Sequence, residues 1–176
     1  DRLVFDADSH VMELPGWLEG FADERTRAAL QPLPLGRAGK LAEQAVEEAS
    51  QRAAAGPVAV DTDPMALLRP KGWSAVGAFD SAERSSVLDV LGFAAQFVFP
   101  TFAATQFAGS DLDTLYAGSD TLNRAMAAFC ADDPRLLAVA SVPWGVPERT
   151  IASARRAIDE GCAAVMVSSD LPRGVV

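Results

Sequence analysis

Leu3-Val4-Phe5-Asp6-Ala7-Asp8-Ser9-His10 is an apolar run that passes directly into acidic residues and ends on the only histidine of the chain. A short apolar run of this kind reads as a buried strand that delivers polar side chains to its carboxyl end. If the extended backbone continues through the polar half, residues two apart share a face, so Asp6, Asp8 and His10 are expected to point the same way. Two carboxylates and an imidazole converging there can bind a divalent metal. The carboxylates are hard oxygen donors, and imidazole is a borderline nitrogen donor that suits zinc, manganese or iron. A plainer reading of the same residues is the start of a loop, because Asp and Ser side chains bond nearby backbone amides.

Three further segments read as buried parallel strands, apolar on both faces: Ala95–Phe99, Leu136–Val142 and Ala163–Val167. Amphipathic helices separate them. One spans about Ser81–Leu91, with Asp80 as N-cap, Glu83 completing a capping box and Gly92 as the stop. The next spans about Thr114–Ala131, with Leu115, Leu122, Met126 and Phe129 at helical spacing. The third begins at Pro147, ends at Gly161 and is expected to bury Ile151, Ala154 and Ile158. Arg84, Arg155 and Arg156 are expected at the surface. Strand-helix-strand repetition is the pattern of a parallel α/β sheet.

Between the first strand and the first regular helix lies an insertion at about 11–79. It holds an Ala/Glu-rich helix near Gly39–Ala55, with Glu43, Glu47, Glu48 and Arg52 as a solvated face and hinges at Pro32–Pro34 and Gly56-Pro57. A segment this long is expected to cover the strand ends.

The chain has 176 residues, 49% of them hydrophobic, enough to build a core. Its net charge of −9 argues against nucleic acid, whose phosphates call for concentrated Lys and Arg. No apolar run approaches the roughly 20 residues of a membrane span, and no signal-peptide pattern is visible. Cys130 and Cys162 lie in apolar surroundings and are expected as buried free thiols, as in a reducing cytoplasm.

Four parallel strands leave two open edges, and a closed (β/α)8 barrel needs roughly 200 residues or more. Residues 1–176 are therefore expected to supply the first four strands of a TIM-like (β/α)8 barrel, with a small doubly wound domain as the alternative. In such a barrel the active site lies at the carboxyl ends of the strands. Those ends carry Asp8, His10 and Glu13, then Thr101, then Trp144, then Ser168 and Asp170. Asp8 and His10 are the candidate metal ligands; Glu13, Thr101, Trp144, Ser168 and Asp170 are candidate substrate-binding residues. Arg69 and Lys71, flanking Pro70, are cations available to a substrate carboxylate or simply exposed.

Several pieces occur in an order that resembles a known family. They are Phe5–Glu13, Ala82–Arg84 with Leu88–Phe93, Phe97–Thr101, Leu122–Arg124 with Phe129-Cys130, Asp133–Leu136 and Val139–Pro143. Together they resemble the amidohydrolase-2 group of the amidohydrolase superfamily, which includes aminocarboxymuconate-semialdehyde decarboxylase-like and γ-resorcylate decarboxylase-like enzymes. The resemblance implies a metal-dependent hydrolase or decarboxylase acting on a small carboxylate-bearing or carbonyl substrate. It implies a divalent metal at the barrel mouth, zinc first, with manganese or iron as alternatives, and a homodimer. The family's first-strand His-x-His or Glu-x-His corresponds to Asp8-Ser9-His10, where Asp departs from the pattern but keeps an oxygen donor. The family's later histidine and late aspartate have no counterpart here and are expected beyond Val176, so this chain alone is expected to be inactive.

Two other readings use the same residues. Asp6 and Asp8 have the Asp-x-Asp spacing of haloacid-dehalogenase-like phosphatases, although His10-Val11-Met12 stands where that family usually has Thr or Val and a Gly-containing turn. A non-catalytic barrel relative that has lost ligands is the second.

Overall fold

The computed structural model describes residues 2–54 and 63–167. Its strands are β1 (Val4–His10), β2 (Phe93–Phe99), β3 (Leu136–Ser141) and β4 (Ala164–Met166), joined in one parallel sheet in chain order. The helices are α1 (Glu24–Ala29), α2 (Gly39–Ala54), α3 (Pro64–Leu68), α4 (Ser81–Leu91), α5 (Leu112–Cys130) and α6 (Pro147–Asp159). A helix leads into each of β2, β3 and β4. The expected α/β class and parallel sheet are present.

The helix boundaries follow from local chemistry. Asp80 caps α4 by accepting from the Glu83 amide at 2.8 Å, and Gly92, at φ +70°, ends it in the left-handed region that favours glycine. The Glu83 carboxylate reaches beyond the cap to accept from the Gly77 amide at 3.1 Å. Helix α5 begins two residues before the expected Thr114, because Asp111 accepts from both the Asp113 and Thr114 amides. Leu88 of α4, Leu122 and Met126 of α5, and Val98, Leu136, Ala138 and Ala140 of the sheet form one buried cluster. Cys130 and Cys162 are buried free thiols in it, and burial pushes their pKa values up to about 12 and about 11.

Three expectations are corrected. First, β1, β2 and β4 are not buried on both faces: Phe5 is 63% exposed, Phe97 37% and Met166 41%. The main cluster takes the Val98 side of β2, and β1 pairs only with β2 among the described strands. Second, α6 turns Thr150, Ser153 and Ala157 inward, while Ile151 and Ile158 face out. Its docking is polar. Ser153 donates to Asp120 of α5 at 2.7 Å, Arg156 donates to the other Asp120 oxygen at 2.8 Å, and Thr150 donates to the Pro143 carbonyl at 2.6 Å. Third, Arg84 is buried rather than at the surface.

The insertion builds a second, smaller core. Ala42 and Ala45 of α2 pack on Trp73, which stacks on Phe102 with ring centroids 5.3 Å apart. Met12 and Leu14, just after β1, join the same cluster. The insertion thus packs on the segments that leave β1 and β2. Glu43, Glu47 and Glu48 are exposed as expected; the expected hinge at Gly56-Pro57 lies outside the described residues. Among the described residues no helix is long and apolar enough to cross a membrane.

Candidate metal centre

The register of β1 on β2 decides where its acidic side chains go. Asp6 pairs with Gln96 and Ser9 with Val98, so three steps along β1 match two along β2. One residue is extra, which is a β-bulge, and a bulge re-aims the side chains beyond it. Asp6 holds it: Oδ1 accepts from the Asp8 amide at 3.0 Å, and Oδ2 accepts from Gln96 Nε2 at 3.0 Å. Ser9 bonds on the same side, to Gln96 Oε1 and to Arg84 of α4. The inserted residue breaks strict alternation, so that Asp6 and Ser9 both bond Gln96, while Asp6, Asp8 and His10 line one cleft.

Asp8 and His10 still converge. Asp8 Oδ1 lies 3.3 Å from His10 Nε2, with the Asp8 side chain 88% exposed and that of His10 44% exposed. The imidazole rests on Phe99, ring centroids 5.7 Å apart. Two ligands each about 2.0–2.2 Å from a tetrahedral zinc ion are separated by about 3.3–3.5 Å. The donor types and their spacing fit two positions on one divalent cation. Among the described residues no group of three or more His, Cys, Asp or Glu side chains is arranged to hold a metal.

Two polar devices fix this end of the sheet. Glu13 is fully buried, and its carboxylate accepts from the Thr101, Phe102 and Ala103 amides at 2.8, 2.9 and 3.2 Å. Its own carbonyl accepts from Trp73 Nε1 at 3.2 Å, which ties the insertion to the same point. Arg84 forms the second device. Its guanidinium donates to the His10, Gly77 and Ala78 carbonyls at 2.7, 2.7 and 3.3 Å, and to the Ser9 hydroxyl at 2.6 Å. Burial pushes its pKa down to about 10, which leaves it charged at neutral pH. Gly77 permits the approach, since a Cβ there would fall 2.5 Å from Arg84 Cα.

The candidate residues thus separate. Glu13 joins backbone to backbone through its carboxylate. The Thr101 hydroxyl donates to the Val11 carbonyl at 2.6 Å and lies 3.3 Å from His10 Nδ1. Trp144 is 39% exposed in the loop after β3. Ser168 and Asp170 lie outside the described residues. A cleft of about 350 Å³ runs past Asp8 and His10, with Met12, Leu67 and Lys71 on its walls. Arg84 and Gln96 belong to this end of the sheet without being candidates from sequence. Gln96 carries a signal, being the one polar residue in Phe93–Phe99, whereas nothing local distinguishes Arg84 from the surface cations. No protein-family model and no curated protein matches this chain.

Proposed function

We propose that the chain supplies the first four strands of a TIM-like (β/α)8 barrel and two ligands, Asp8 and His10, of a divalent-metal centre serving a hydrolase or decarboxylase. The observation that carries the reading is the 3.3 Å approach of Asp8 Oδ1 to His10 Nε2 at the carboxyl end of β1. The strand order supports the barrel part. Doubly wound sheets reverse their order at a switch point, whereas here the order is β1-β2-β3-β4 without reversal.

A divalent ion at this point supplies Lewis acidity to a substrate carboxylate or carbonyl and lowers the pKa of a bound water. Zinc suits the mixed oxygen and nitrogen donors best, with manganese and iron as alternatives. The chain's own residues do the holding. Asp6 maintains the bulge that turns Asp8 toward His10, and Arg84 anchors the His10 carbonyl. Small carboxylate-bearing or carbonyl compounds fit the cleft beside the pair, where Lys71 provides a cation. The remaining ligands and the proton-transfer group come from outside the described residues.

The alternative is a phosphatase that uses Asp6 and Asp8; both Asp6 oxygens accept hydrogen bonds, from the Asp8 amide and from Gln96 Nε2. The test is zinc titration by calorimetry, with metal analysis of the purified protein. Zinc binding that weakens by more than about 100-fold in both Asp8→Asn and His10→Ala, a larger loss than an outer-sphere partner causes, is expected. Binding unchanged in both variants, or absent from the unaltered protein, refutes the metal reading and favours the non-catalytic relative.

A further inference from the structure

Gln106 is 5% exposed and lies in the 3₁₀ turn Ala103–Phe107, where it and Gln31 hold each other at two points. The Gln106 carbonyl accepts from the Gln31 amide at 2.7 Å, and Gln106 Nε2 donates to the Gln31 carbonyl at 2.8 Å. The second contact fixes which way the side-chain amide is turned, because the flipped form would set two carbonyl oxygens against each other. Gln106 Oε1 is thereby left as a buried acceptor, the one buried side-chain polar atom without a hydrogen-bond partner among the described residues. Buried amide oxygens are nearly always bonded, so an acceptor held bare at a cleft points to a ligand that donates.

Gln106 lines a cleft of about 270 Å³ together with Glu19, Arg27, Leu30 and Leu33. The Glu19 carboxylate turns back over Gly16, 3.5 Å from where a Cβ would stand, and makes no hydrogen bond or ion pair among the described residues. Arg27 donates through Nε and Nη2 to the Glu19 and Ala22 carbonyls at 3.0 and 2.9 Å, which leaves Nη1 for another acceptor. We propose that this cleft binds a free amino acid with a small apolar side chain. Its ammonium donates to Gln106 Oε1 and pairs with Glu19, its carboxylate accepts from Arg27, and its side chain packs on Leu30 and Leu33. A plain amine would leave Arg27 beside a like charge, and a plain carboxylate would do the same to Glu19; a zwitterion answers both. The volume, just under the roughly 300–1,000 Å³ of most ligand pockets, sets the size at a single residue.

The walls are held from outside the cleft. The buried Glu13 accepts from the Ala103 amide at 3.2 Å, at the start of the turn that carries Gln106. Arg27 ties α1 to the 3₁₀ turn Trp17–Gly20, whose Leu18 is fully buried. Walls fixed in advance lower the ordering cost of binding. Gln106, Glu19 and Arg27 lie apart from the Asp8–His10 pair, so this site does not depend on the metal reading.

The test follows 1H–15N spectra of the whole 176-residue chain, in which the Gln106 side-chain amide and the Gln31 backbone amide report on the cleft. L-leucine at millimolar concentration should shift both signals in a saturable way. Isoamylamine, which lacks the carboxylate, and 4-methylpentanoate, which lacks the ammonium, should each bind at least about tenfold more weakly. Glu19→Gln, at an exposed position, should weaken leucine binding about threefold or more. Gln106→Met, read from the Gln31 amide, should weaken it about tenfold or more. No saturable shift with leucine, as for a cleft that takes only water, overturns the proposal. So does either analogue binding as tightly as leucine, or binding unaltered in a folded Gln106→Met protein. If Gln106→Met does not fold, the analogue series and Glu19→Gln decide.

Discussion

Two clefts of this molecule are lined by acids and bases, and they differ in what their charged pairs join. In the cleft between α5 and α6, Arg149 pairs with Asp113 at 2.8 Å and lies over the Tyr116 ring, and Arg156 and Ser153 both bond Asp120. Every side chain of that set answers another, which is how a helix pair is fastened. At the end of β1, the supporting side chains are equally satisfied, with Asp6, Glu13, Arg84 and Gln96 each bonded. The pair Asp8 and His10 instead lies within the end of one strand, with Asp8 Oδ1 3.3 Å from His10 Nε2 and the Asp8 side chain largely exposed. Pairs that cross from one helix to another fasten a joint; a pair within one strand end joins no two elements, and it is the pair to which the proposed function gives a metal.

The contrast breaks most visibly under crossed substitutions. His10→Ala is expected to abolish zinc binding in calorimetry while leaving the urea midpoint close to that of the unaltered protein. Asp120→Ala should do the reverse. It strands the buried Ser153 hydroxyl and removes the Arg156 partner, at about 2–3 kcal/mol in urea denaturation, with zinc affinity unchanged. A shared loss in both variants would mean that the two regions are not independent.

Glu13→Gln sharpens the comparison within the β1 end. A neutral amide with one acceptor atom cannot serve three backbone N–H groups that now share two carboxylate oxygens, so about 1–3 kcal/mol should be lost in the same assay. Because Thr101 hangs from that carboxylate, zinc should also bind about tenfold more weakly.

The smallest expected effect concerns a third pair, Asp133 with Arg135, distant from both clefts in function. Arg135 donates to the Asp133 carboxylate from Nε and Nη2 and from its own amide, which holds the acid well below the usual carboxylate range. A carboxyl depressed in the folded state contributes stability above its unfolded pKa of about 3.9, and that contribution disappears as pH falls below it. Asp133→Asn should flatten the fall in denaturation midpoint between about pH 4 and 2 and leave zinc binding untouched.

Much of the architecture is legible from local pattern. Asp80, Gly92 and Pro147 mark helix ends because capping depends on residues within four positions of each other, and the apolar runs at 95–99 and 136–142 contain strands. The inward face of α6 is not legible. Ile151 and Ile158 are its apolar residues, yet the docking groups are Thr150 and Ser153, because their partners Pro143 and Asp120 already occupy the facing surface. Arg84 escapes a sequence reading for the same kind of reason: its acceptors are backbone carbonyls of the segments 77–78 and 10, which composition does not reveal.

From the chain of residues alone came the alternation of strands and helices, and the pairing of an acid with the sole imidazole at the end of β1, since both depend on short-range spacing. How the strand holds that acid, Asp8, was decided only in three dimensions. The bulge opposite Gln96 ties Asp6 to the Asp8 amide and to β2, and an inserted residue is defined by the register between two strands separated by more than eighty positions, which no single stretch of sequence contains.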